Sequence, residues 1–191
     1  MITSLALALV LVASTSPTPP VRWGSDGHQM ASRAAAEMLP AEVPAFFRSA
    51  TDQLVHLGPE PDRWRSRAFR EMNEAWTYDH YIDIENVPAD ALEATDRWVY
   101  VRMLYQAGLE RPEADAGFLP FRTLEMYQRL VTEWRMWRAE TDSSRKASIE
   151  ARIINDAGIL GHYAADGSNP HHTTIHFNGW AEGKPNPHGY T

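Results

Sequence analysis

GILGHYAADGSNPHHTTIHFNGW, residues 158–180, holds four of the chain's eight histidines together with one aspartate. His162 and Asp166 are four apart, so on a helix they share a face with Cβ atoms about 5–6 Å from each other. That separation suits a shared metal ion, because zinc takes histidine nitrogen and carboxylate oxygen at roughly 2.0–2.2 Å. For one isolated H-x3-D, a helix end whose histidines are solvated or satisfied core groups is the more usual explanation. Asn169-Pro170 breaks the helix, and His172 arrives on the returning chain. Partners upstream decide between the two readings.

Working outward, residues 142–166 predict a long helix that Asp142 or Ser143 caps. Its apolar face is 149, 153, 157, 160, 164, and a second face, 155, 158, 162, 166, carries the candidate ligands, with Gly158 leaving room beside them. Residues 90–110 and 118–140 space apolar side chains by three and four, the mark of amphipathic helices. In the second of these, Tyr127, Trp134 and Trp137 read as a core stripe. Tyr78–Ile84 alternates aromatic and β-branched residues, which predicts an extended stretch with Tyr78, His80, Ile82 and Ile84 on one side. A histidine pointing inward there needs a hydrogen bond or a metal.

Residues 59–76 place Pro61 and Asp62 near a helix start, where capping alone explains the carboxylate. Residues 41–58 predict a helix ending at Gly58 as a C-terminal glycine, with His56 in its last turn explained by the helix dipole. Residues 28–40 predict a helix packed on the Met30, Ala34, Met38 face, with His28 in its first turn. No internal repeat and no strand set large enough for a sheet is visible. The fold class expected is all-α, a multi-helix bundle with ligands facing its interior.

With 191 residues and 43% hydrophobic content, the chain supports one domain with a real core. Net charge is −7, so no general basic field holds nucleic acid by counterion release. A polyanion has to be drawn in by bound cations. The chain has no cysteines, which excludes thiolate metal sites and disulfides. Seven tryptophans fit either a packed core or an aromatic-lined cleft. Residues 1–22 read as a signal peptide and spacer, from the apolar run LALALVLVA and the Ser/Thr/Pro stretch behind it. The expected location is therefore periplasmic or secreted, and residues 23–191 form the domain. Nothing points to a stable membrane anchor or to a protein partner.

W-G-x-x-G-H at 23–28, Asp62 ahead of Trp64-Arg65, H-Y-I-D at 80–83 and G-H-x3-D-x5-H at 161–172 together resemble the zinc-dependent S1/P1 nuclease family. That family shares its fold with bacterial zinc-dependent phospholipase C. The resemblance runs from Trp23 to the end and implies a helical bundle with up to three Zn2+ ions at its mouth. By that resemblance, Asp62, His80, His162 and Asp166 hold one zinc. The amine and carbonyl of Trp23, with His28 and a shared Asp166, hold a second, and His172 contributes to the remaining one. The bridged pair is then expected to activate the attacking water, and the remaining zinc to steady the leaving oxygen. Arg65 is placed to touch a phosphate oxygen, and Asp83 to orient an imidazole.

Two departures shape the expectation. Family members continue to a further H-x3-D/E pair that completes the remaining zinc, whereas here His188 is the late candidate and the chain stops at Thr191. The sequence therefore reads as truncated at its C-terminal end, with the His172 zinc incomplete. The Trp23 amine is a ligand only if processing falls between Arg22 and Trp23, and Pro-Val-Arg is a poor match to small-residue cleavage. His171 and His176 are expected to be loop residues. The function expected is an exported zinc phosphodiesterase acting on single-stranded DNA, RNA or nucleotides. A zinc-dependent phospholipase C and a truncated, non-catalytic zinc-binding domain are the alternatives.

Overall fold

The computed structural model describes residues 23–180 and 183–185, so residues 1–22, read from the sequence as a signal peptide and spacer, and His188 lie outside the described residues. The chain enters through a π-type turn, Trp23–Gly27, kinked at Gly24. Helices follow in order: α1 His28–Glu37, α2 Ala45–Arg48, α3 Thr51–Leu57, α4 Glu60–Trp64, α5 Arg70–Thr77, α6 Arg97–Gln106, α7 Pro112–Asp115, α8 Leu119–Ala139 and α9 Ser143–Ser168. The strands among the described residues are the two-residue pair β1 Gly179–Trp180 and β2 Lys184–Pro185. The fold is all-α. None of the described helices is long and apolar enough to cross a membrane.

Helix α9 is the spine. Asp142 caps it by accepting from the Arg145 amide at 2.9 Å, and Asn169-Pro170 ends it. One side of α9 lies along α8, and α3, α1 and α4 pack on the other. Its buried line runs Ile149, Ile153, Asp156, Ile159, Tyr163, Asp166, spaced by three and four as a helix face must be. The expected face is corrected beyond Ile153, since Ala164 is exposed. Gly158 is corrected too. A Cβ there would sit 2.5 Å from the Leu57 Cβ, so the glycine admits α3 against α9 and leaves no room beside the ligands.

Four other expectations change. On α1, Met30 and Met38 are 67% and 83% exposed, while His28 and Ala36 are buried. The packed face is therefore 28, 32, 36, where Gly58 approaches so closely that a Cβ would lie 2.9 Å from the His28 carbonyl. Residues 41–58 split into α2 and α3, and Gly58 is right-handed (φ −48°), so close approach explains it and not a left-handed cap. Tyr78–Ile84 is not one extended run. Tyr78–His80 and Ile84–Asn86 are 3₁₀ turns with a short link between them. Asp79 and His80 are both buried, and Ile84 is 48% exposed. Of the aromatic stripe, Trp134 and Trp137 pack on Phe46 at 5.5 and 5.4 Å, but Tyr127 is exposed.

Between α8 and α9, the buried carboxylates of Glu133 and Asp156 meet, with Arg129 on Asp156 and the Arg152 guanidinium 3.9 Å from Glu133. Burial and the neighbouring Asp156 charge push the Glu133 carboxyl up from 4.5 to about 7. The folded chain thus keeps a proton that the unfolded chain releases above about 4.5. Stability from this group is full below that pH and is lost as pH rises through about 7. Glu133→Gln, which keeps a donor towards Asp156 at every pH, is expected to raise Tm at pH 8 by about 3 °C. At pH 5 it is expected to change Tm little. Equal Tm differences at both pH values in calorimetry would show that the seam holds no proton.

Candidate metal centre

Asp166, fully buried near the end of α9, is the point on which the site converges. Its Oδ1 lies 3.3 Å from His28 Nε2 and 3.0 Å from His172 Nδ1. Its Oδ2 lies 3.1 Å from both His80 Nδ1 and His162 Nε2. Asp62, on α4, stands 3.7 Å from His28 Nε2 and 3.7 Å from His80 Nδ1. Four segments distant in sequence are thus drawn to one carboxylate: the first turn of α1, α4, the 3₁₀ turn at Tyr78–His80, and α9 with the turn behind it.

Backbone carbonyls set the imidazole tautomers. His162 Nδ1 donates to the Gly58 carbonyl at 2.7 Å, which leaves Nε2 with its lone pair towards the cluster. His172 Nδ1 lies 3.1 Å from the His80 carbonyl, and Ile82 N donates to the His172 carbonyl at 2.9 Å. The turn after α9 is itself held by the Asn169 side chain, which accepts from the His171 amide. Asp83 is corrected: its carboxylate makes no hydrogen bond to a ring among the described residues. It stands on the cavity wall, where burial and then Glu85 push it up to about 6. The carbonyls of Gly58 and His80 orient the imidazoles instead. Sequence carries no signal for that, because every residue has a carbonyl.

Two triads bring their ligating atoms within 4.8 Å of one another: His28, Asp62, His162 and His80, His162, Asp166. These buried groups can hold a metal ion. The fit shows at the shared carboxylate, since Asp166 Oδ1 is buried without a hydrogen bond although two imidazole nitrogens face it. Buried polar groups are ordinarily satisfied, and an all nitrogen–oxygen donor set suits zinc. Burial works against charge on Asp166, yet the imidazoles of His162, His28 and His80 gathered round it hold its carboxyl well below the usual carboxylate range. Burial pushes the His80 and His172 imidazoles down, against the opposing pull of Asp166. These two rings therefore favour the neutral form that binds metals.

A cavity of about 580 Å³ opens over the cluster. Trp23, His28, Asp62, Arg65, His80 and His172 line it, so the sequence-derived site residues come together, with His162 and Asp166 behind them. Trp23 lies edge-on to the His28 ring at 5.5 Å, and Arg65 pairs with Asp62 at 3.2 Å. Exposed His56 stands apart from the cluster. His171 does occupy the loop but also reaches the cavity wall, beside Tyr81 of the H-Y-I-D motif and beside Ala114 and Phe177, which the sequence did not mark. His176 stacks on Trp180 at 3.9 Å.

A second arrangement fixes His80 from behind. Buried Asp79 takes Arg97 Nη1 at 2.8 Å and Arg122 Nε at 2.7 Å, and both arginines also reach Glu125. Phe118 N donates to the Tyr78 carbonyl at 2.7 Å, so the turn is gripped on both sides. The pairing of Asp79 leaves no mark in the local sequence, since its arginines lie on α6 and α8. No family model, curated protein or solved structure shows a significant match to the chain.

Proposed function

We propose that the chain is an exported zinc-dependent phosphodiesterase of the S1/P1 nuclease kind, hydrolysing single-stranded nucleic acid. One observation carries this reading: a fully buried aspartate shared by four imidazoles, three of which line a cavity with an arginine on its wall. Zinc bound there supplies a Lewis acid that lowers the pKa of water towards about 7 and neutralises phosphoryl charge. Asp62, His80, His162 and Asp166 would hold one ion, and His28 with Asp166 a second beside Trp23. His172 faces Asp166 from the returning turn as a further ligand. Asp166 thereby fixes the spacing of the ligand sets, one oxygen towards each side. Arg65 offers its guanidinium to a non-bridging phosphate oxygen and stays in place through Asp62. Positioning of this kind is most of what phosphoryl chemistry asks of a protein.

Elemental analysis of the purified protein, with hydrolysis of single-stranded DNA and RNA measured alongside, tests the reading. About two or more zinc ions per chain with hydrolysis, both lost in His162→Ala, is the expected result. Zinc without hydrolysis of any phosphodiester would make the domain a non-catalytic metal binder. Cleavage of phospholipid vesicles alone would keep the centre and replace the substrate.

A further inference from the structure

We propose that the loop between α4 and α5 carries the substrate strand away from the cavity, with Arg67 gripping its backbone and Phe69 stacking a base. This deepens the nuclease reading and rests on it, naming a polymeric single strand and not a mononucleotide as the ligand. In a chain of net charge −7, residues 63–70, RWRSRAFR, hold four of the 18 basic residues and no acid. Arg63 and Arg70 pair with Glu60 and Glu74, and Arg65 with Asp62. Arg67 is exposed and makes no ion pair or hydrogen bond among the described residues. Its charge is therefore available to a ligand. Glu71, at the start of α5, offsets one charge nearby, so the loop acts by local contact and not by a broad field.

Phe69 is 64% exposed, an aromatic ring presented to water two residues along the chain from the unpaired Arg67. That pairing is what sequence-tolerant binding of single strands uses: cations along the backbone and π-faces for successive bases. Continuity with the site supplies the direction. Arg65 lines the cavity, and Phe69, four residues on, lies no more than roughly 14 Å away along the chain. A strand whose scissile phosphate meets Arg65 has its neighbouring nucleotides within reach of Arg67 and Phe69. A phospholipid headgroup or a free nucleotide ends before reaching them.

The test is binding of a labelled oligothymidylate with phosphorothioate linkages, which resist cleavage, to the zinc-loaded protein across a salt series. It is paired with KM values for ordinary oligothymidylate and for bis(p-nitrophenyl) phosphate. Arg67→Gln is expected to make the slope of log affinity against log salt shallower by about 0.7. Phe69→Ala is expected to weaken strand binding about tenfold. In both variants the KM for the strand should rise relative to that for the small diester. Wild-type affinity and salt slope in both variants would overturn the proposal. If the unmodified protein cleaves neither substrate, the nuclease reading falls, and the binding series still decides the strand track.

Discussion

Asp166→Asn is expected to bring bound zinc below about one ion per chain and to lower strand hydrolysis about 10³-fold. The substitution keeps the side chain's shape, so the buried site should remain packed. What changes is the donor set. Oδ1 faces His28 and His172, and Oδ2 faces His80 and His162, so both oxygens are engaged at once. An asparagine offers one carbonyl and one NH2 group that cannot ligate a metal. Whichever way it flips, one ligand set loses its oxygen and the shared charge is gone. Elemental analysis beside circular dichroism reads both parts. A folded variant with undiminished zinc would show that the ions do not share this carboxylate.

Gly117→Ala is expected to destabilise the fold by about 4 kcal/mol, seen as a Tm drop of roughly 8–16 °C. Gly117 precedes α8 with φ +76°, and an added Cβ would fall 2.3 Å from the Tyr81 carbonyl oxygen. The left-handed backbone alone costs an alanine about 1–2 kcal/mol. The clash cannot be relieved by a rotamer change, because the obstructing atom is backbone. Nor can Tyr81 withdraw easily: its carbonyl accepts from Leu119 N at 3.1 Å, and its hydroxyl donates to the Ala114 carbonyl at 2.8 Å. Calorimetry gives the direct measurement. A drop of less than about 2 °C would mean that the Tyr81 strand of chain is looser than these contacts imply.

Much of the helical order could be read from spacing alone. Asp142, the apolar residues of α9 and the Asn169-Pro170 break mark a long helix at both ends, and the +4 step from His162 to Asp166 survives folding unchanged. Errors arose where a local pattern had two solutions. An alanine-rich helix offers several equivalent faces, and α1 turned on the one that brings His28 and Ser32 to Gly58. The alternation in Tyr78–Ile84 suits a strand, but the Arg97 and Arg122 pull on Asp79 winds its first half into a turn. Asp62 is ambiguous by nature, since a carboxylate in a first turn is also a cap. The carbonyls of Gly58 and His80 left no trace in residue identity.

The donors of the centre begin at His28 and end at His172, and the contact that seats His162 joins it to Gly58 across most of the chain. During synthesis the early imidazoles must wait, without their carboxylate, until α9 and the turn after it have emerged. The centre is therefore a product of completed folding and cannot nucleate it, because closing so long a loop precedes any reward from the metal. An ion that binds the finished cluster alone also acts as a latch. At a hundredfold excess over its Kd it adds about 2.7 kcal/mol to stability, and it is released when any one of the four contributing segments opens.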